Sequence, residues 1–277
     1  MKSARRLLRR LGVRRPQYPG VAGWAKEAPK PPPCPPGWQV GPPDFVGVGA
    51  QKAGTTWWFH LIAAHPDVHH DPQQRPELHY WDRFSHSWPS AADNDLYHRL
   101  FPRPAGKKAG EKTPEYMMDY WVPQMLHEAA PEVRIIVLLR DPIDRYRSAS
   151  AHGWERGWVR DRLTETSIFD AGLYNSQMAR LRDVFGEDRL LVLQYERCVR
   201  EPQAQLSRTY AFLGLPDHTL TEEQLRQPRN ATRRQAPPLD NRRRQTLQAA
   251  YAPDVRLLRG TTPELDLSLW PNFAQLD

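Results

Sequence analysis

Apolar residues first run together at Phe45-Val46-Gly47-Val48-Gly49, a short stretch ending in glycine, and this pattern predicts a buried strand. Aromatic and apolar residues from Trp57 to Ala64 predict a helix, opened by Gly54-Thr55-Thr56 and ended by Pro66. Arg134-Ile135-Ile136-Val137-Leu138-Leu139 is rich in β-branched residues and bounded by Arg140-Asp141-Pro142, which predicts a second strand. Pro142 suits the first turn of a following helix that runs past Tyr146. A helix is expected across 170–185, ending near Gly186, then a third strand over Arg189-Leu190-Leu191-Val192-Leu193. A further helix covers 202–213 and stops at Gly214. Strands alternating with helices imply a parallel sheet covered on both faces. The pattern therefore predicts one α/β domain over residues 44–277, with order beginning near Asp44.

The segment before Asp44 has a different composition. Residues 1–15 carry seven basic side chains (Lys2, Arg5, Arg6, Arg9, Arg10, Arg14, Arg15) and no acid, and residues 16–43 contain ten prolines. Residues 1–43 read as a basic, proline-rich arm or linker. The chain has 39 Lys+Arg against 32 Asp+Glu, a net charge of +7, so the first fifteen residues hold the whole excess. The neutral remainder argues against nucleic acid as a partner. Leu7, Leu8 and Leu11 are interrupted by Arg9 and Arg10, so the arm lacks the roughly 7–15 consecutive apolar residues of a secretory signal. Those leucines on a short basic helix would suit weak contact with an anionic membrane surface; a solvated arm is the plainer reading. No apolar run approaches the roughly 18–20 residues of a membrane span. Cys34 and Cys198 form no CxxC pair and no disulfide framework, and a reducing cytoplasm is the simplest expected compartment.

Candidate chemistry sits where the first strand meets the first helix. Gly49-Ala50-Gln51-Lys52-Ala53-Gly54-Thr55-Thr56 has the two glycines of a P-loop at the right spacing but lacks the lysine that should follow the second. The cation sits inside the loop at Lys52, and Thr55 and Thr56 open the helix, whose free N–H groups favour an anion. A tight turn with a solvated lysine is the alternative. The added lysine and paired threonines favour an anion site. Arg140 ends a parallel strand, on the edge that carries ligands in open α/β sheets, and Ser148 lies about two helical turns on. Arg140 and Ser148 together would hold a second phosphate, and two clamps suit a ligand with phosphates at both ends.

Four stretches carry a resemblance: Val48–Trp57, Glu77-Leu78-His79-Tyr80-Trp81-Asp82, Gly110-Glu111-Lys112-Thr113-Pro114-Glu115-Tyr116, and Ile135–Pro142 continuing to Ser148. Arg189–Leu193 with Phe212–Leu215 adds a weaker one. In this order they resemble sulfotransferases that use 3′-phosphoadenosine 5′-phosphosulfate (PAPS), of the heparan sulfate N- and 3-O-sulfotransferase type and its bacterial relatives. The resemblance implies the sulfotransferase fold, a single P-loop-like domain with a central parallel sheet flanked by helices. It implies that Lys52, Ala53, Gly54, Thr55, Thr56 and Trp57 hold the 5′-phosphosulfate, and that Arg140 and Ser148 hold the 3′-phosphate. Glu77 matches the catalytic base; His79, Asp82 and Lys112 match residues lining the acceptor site. No metal is expected, because a sulfuryl group carries less charge than a phosphoryl group. Two departures stand out. Pro76 occupies the place of a lysine before the base, and the C-terminal Lys-Gly lid is absent. Arg229, Arg233 and Arg234 are expected to supply the lid, in a segment (226–244) with seven arginines and one acid, Asp240.

Other chemistry is weighed against these readings. His60, His65, His69, His70, His79 and His86 crowd one region, but their spacing fits no zinc pattern. Tyr80, Trp81, Phe84 and Trp88, and the Tyr116–Trp121 patch, suit either an acceptor wall or the core. Asp141 after an apolar strand would imitate the acid of a nucleotide kinase or hydrolase, a competing function that the displaced Lys52 disfavours. A non-catalytic polyanion- or lipid-binding protein is the third reading, and it rests on the arm alone. The acceptor is left open between small molecules and carbohydrates.

Overall fold

Buried parallel strands need apolar side chains on both faces, and the three apolar runs supply them. The computed structural model describes residues 27–85, 87–155, 162–227 and 238–276. In chain order the elements are β1 (Trp38–Gln39), β2 (Phe45–Gly49), α1 (Thr55–Ala63), α2 (Ala91–His98), β3 (Arg103–Pro104), β4 (Gly110–Lys112), α3 (Val122–Ala129), β5 (Arg134–Leu139) and α4 (Pro142–Glu155). They continue with α5 (Arg162–Asp170), α6 (Tyr174–Phe185), β6 (Leu190–Gln194), α7 (Tyr195–Arg200), α8 (Pro202–Leu213), α9 (Glu222–Arg226) and α10 (Asn241–Thr261). The main sheet is β4-β2-β5-β6, parallel throughout, and helices flank it. Val46, Ile135, Val137 and Leu139 are fully buried in it.

The chain enters this body before Asp44. β1 pairs antiparallel with β3. Arg103 on β3 pairs with Asp44 and donates to the carbonyls of Pro42 (3.0 Å) and Phe101 (3.0 Å). The end of the proline-rich stretch is therefore tied down by one arginine that pairs with a carboxylate and donates to backbone carbonyls.

The helix expected over 170–185 is α6, which starts at Tyr174 and is capped at Gly186, and a separate helix, α5, precedes it. α5 ends at Asp170, and Gly172 begins the turn into α6 because a Cβ there would lie 2.9 Å from the ring of Tyr251 on α10. No described helix is long and apolar enough to cross a membrane.

Candidate active site

β2 runs into the loop that joins it to α1, and the loop's shape follows from two left-handed residues. Lys52 has φ +68° and Gly54 φ +87°. Glycine adopts this conformation without a Cβ penalty; a lysine does so only when its surroundings fix it. Arg140 supplies that restraint, donating from Nη1 to the Lys52 carbonyl (3.1 Å). The Arg140 guanidinium also lies over the Tyr195 ring at 4.8 Å, and the same ring packs against Gly54. No side chain caps α1, so its first-turn N–H groups stay open toward the loop. Trp57 is fixed by an Nε1–H bond to the Leu225 carbonyl (2.9 Å). Lys52, Ala53, Gly54, Thr55, Thr56, Trp57 and Arg140 thus form one continuous structure. Ser148 lies half-buried on α4, about two turns beyond Arg140.

A second cluster meets the start of α1. Lys112, at the end of β4, is 2% exposed; its ammonium pairs with Glu77 Oε1 and donates to Thr56 Oγ1 (2.5 Å). His79 reaches Glu77 Oε2 at 3.9 Å through Nε2 and Asp82 Oδ2 at 2.8 Å through Nδ1. His79 has φ +52°, and its backbone N–H donates to Thr113 Oγ1 (3.3 Å). Burial raises the proton affinity of Glu77, but bonds from His79 and the charge of Lys112 outweigh it and hold the carboxyl at about 2. Hydrogen bonding to Asp82, then to Glu77, pushes His79 up to about 10. The site therefore contains an ionised Glu77 between two cations, one of which also touches the nucleotide-type loop. The fold brings Glu77, His79, Asp82 and Lys112 together, and Thr56 of the anion loop joins them through Lys112.

The disfavoured and open readings take these forms. Asp141 is no metal-facing acid: its carboxylate accepts from Ile143 N (2.9 Å), Asn272 N (3.1 Å) and Asn272 Nδ2 (3.0 Å). It caps α4 and ties down the C-terminal segment. Tyr80, Trp81 and Phe84 are core residues at 0%, 0% and 7% exposure, and Tyr116 and Met117 are fully buried; Trp88 and Tyr120 are exposed. The histidines disperse: His65 bonds the Pro216 carbonyl and the Asp67 N–H, His69 packs on Trp38, and His70 packs on Phe59. Among the described residues no three of His, Cys, Asp and Glu converge as metal ligands. His86, Arg229, Arg233 and Arg234 lie outside the described residues.

Three contributors were missed. Glu111 is buried, and desolvation pushes it up to about 7. It accepts from Tyr97 OH (2.7 Å), Thr113 Oγ1 (2.7 Å) and Leu78 N (3.3 Å), which fixes the backbone between Glu77 and His79. Glu115 accepts from Gln51 Nε2 in the loop (2.7 Å), and burial raises its proton affinity. Tyr195 supports Gly54 and Arg140. The one available sequence signal was the pair of acids flanking Lys112-Thr113-Pro114.

The profile described as "Sulfotransferase family" matches residues 71–222. "Heparan sulfate glucosamine 3-O-sulfotransferase 6" of Mus musculus is 29% identical over 189 residues, covering 62% of this chain and 52% of that protein. "Heparan sulfate glucosamine 3-O-sulfotransferase 3B1" of Mus musculus is 28% identical over 191 residues, covering 62% and 46%. The chain spans about half the length of the curated relatives it matches. The crystal structure of a sulfotransferase from Alicyclobacillus acidocaldarius superposes with a TM-score of 0.65 at 26% identity, covering 83% of this chain and 99% of that one.

Proposed function

The chain belongs to the sulfotransferase family, and we propose that it moves a sulfuryl group from PAPS to a hydroxyl or amine of a small-molecule or carbohydrate acceptor, with Glu77 as general base. One observation carries the assignment of roles: the lysine paired with Glu77 also donates to Thr56 at the start of α1. The proton acceptor and the anion loop share one ammonium.

In the proposed reaction the acceptor atom attacks sulfur in line. The bond from sulfur to the phosphate oxygen breaks, and 3′-phosphoadenosine 5′-phosphate (PAP) leaves with that electron pair. The acceptor proton passes to Glu77. Lys52 and the open N–H groups of α1 stabilise the charge that develops on the leaving phosphate. Arg140 and Ser148 take the 3′-phosphate. At about 2, Glu77 is too weakly basic to take a proton readily. Sulfuryl oxygens near Thr56 would share the Lys112 charge, and Glu77 would recover basicity only when the donor is in place.

The test is binding and turnover measured together. PAP should bind without magnesium, and ATP should not compete. Glu77→Gln is expected to keep PAP affinity by calorimetry and to lose about 10²–10⁴-fold in transfer of label from PAPS. Full turnover in that variant removes Glu77 as base.

A further inference from the structure

We propose that the C-terminal segment from Trp270 to Asn272 positions Arg140, and that Asn272 thereby sets the preference of the site for a nucleotide that carries a 3′-phosphate. The proposal rests on the sulfuryl-transfer reading, with Arg140 as the 3′-phosphate ligand, and adds a positioning residue from outside the sequence motifs.

Arg140 stands one residue past the support of the sheet. The last pair between β5 and β6 is Leu139 with Gln194, so that ladder ends before the peptide joining Arg140 to Asp141. Side chains hold this peptide instead. Its carbonyl accepts from Tyr174 OH (3.0 Å), and its N–H donates to Glu196 Oε1 (2.9 Å). Glu196 is in turn fixed by Trp270 Nε1, which donates to Oε2 (2.9 Å). Asp141 is fully buried, and its Oδ2 takes two hydrogen bonds from Asn272, one from the backbone N–H (3.1 Å) and one from Nδ2 (3.0 Å).

Asn272 is itself held in place. It is buried; its Oδ1 accepts from Arg244 Nη1 (2.9 Å) and its carbonyl from Gln248 Nε2 (2.9 Å), both on α10. The amide therefore turns its NH2 toward Asp141. The same segment is tied to the end of β6, where Gln194 and Asp266 exchange two hydrogen bonds (2.9 and 3.2 Å). Without the Asn272 side chain, Asp141 Oδ2 keeps one donor of two in a buried place, and a buried carboxylate shifts to regain a partner. The shared peptide carries that shift to Arg140, whose guanidinium is set at 3.1 Å from the Lys52 carbonyl and over the Tyr195 ring. A guanidinium recognises a phosphate by direction as well as charge, so a displaced Arg140 loses the 3′-phosphate first.

The experiment measures, by calorimetry on the full chain, the affinities for PAP and for adenosine 5′-phosphate, which lacks the 3′-phosphate. Asn272→Ala is expected to lower the ratio of the PAP affinity to the adenosine 5′-phosphate affinity by about tenfold. In an Arg140→Ala background the same substitution is expected to leave the ratio unmoved. An equal loss for both nucleotides marks a purely structural role and overturns the proposal. An unmoved ratio in the parent background overturns it too, and so does a further fall beside Arg140→Ala. Should Asn272→Ala fail to fold, Trp270→Phe takes its place, because it keeps a ring and removes the donor to Glu196. The ratio is again expected to fall, and an unmoved ratio overturns the proposal. A parent chain that does not bind PAP, or an Arg140→Ala variant with the parental ratio, instead overturns the reading beneath it, so the two failures are distinct.

Discussion

Burial alone would make Glu77 a stronger base, and the two cations beside it make it a weaker one. The pair His79–Asp82 can be tested apart from turnover. His79 is held up to about 10 first by its hydrogen bond to Asp82, then by Glu77. A histidine raised in the folded state contributes stability that is whole below its usual 6.5 and is lost as pH rises through about 10. Asp82→Asn removes the larger cause. The imidazole proton resonance of His79 is expected to titrate at least about one unit lower in that variant. An unchanged midpoint means Asp82 does not set the charge. Lys112→Met tests the other partner. The Glu77 carboxyl carbon should titrate upward from about 2 toward 4.5, with transfer reduced because Thr56 and the sulfuryl oxygens lose their shared cation.

The loop between β2 and α1 concentrates the constraints of whole elements at Gly54. An added Cβ would adopt φ +87° and lie 2.7 Å from Cε2 of Tyr195. Gly54→Ala is expected to cost about 1–3 kcal/mol in stability, read by thermal melting. It should also weaken PAP binding, read by calorimetry, because Tyr195 is also the support of Arg140. Loss of binding with no loss of stability would mean that the ring simply moves aside. This loop was legible in the sequence, and so were β2, β5 and β6, because strands buried on both faces must be apolar throughout. β4 was not legible as a strand. Gly110-Glu111-Lys112 carries two ionisable side chains into the interior, and its place depends on Tyr97 and Glu77, which are distant in sequence. α10 was missed for a related reason. It is polar on most sides and contains Pro253, and only Leu247, Tyr251, Val255 and Leu258 face the core. Glu77, His79, Asp82 and Lys112 lie in stretches singled out by the resemblance, and the fold gathers them. Glu115 lay inside a quoted motif without a role, since only the folded loop brings it to Gln51.

At the scale of the molecule, two buried carboxyl groups mark opposite edges of the sheet. Glu111 belongs to β4, and Glu196 lies in α7 immediately after β6. Burial pushes each to about 7, only partly offset by hydrogen bonds, those to Glu196 coming from Asp141 N (2.9 Å) and Trp270 Nε1 (2.9 Å). A carboxyl raised in the folded state keeps its proton where the unfolded chain has lost it. At these two groups the folded state thus binds more protons between 4.5 and about 7, and their contribution to stability falls as pH rises through that window. Neither Glu77 nor His79 masks the effect. The contribution of Glu77 is lost only below 4.5, and that of His79 only above 6.5. Each buried acid adds a slope of at most about 1.4 kcal/mol per pH unit. Glu111→Gln is the cleaner variant, because the hydroxyls of Tyr97 and Thr113 can turn to accept from an amide. Whatever it costs in absolute stability, its unfolding free energy, measured in urea at pH 5, 6 and 7, should fall less steeply than that of the parent chain. Parallel curves would mean that Glu111 ionises in the fold as readily as it does in water.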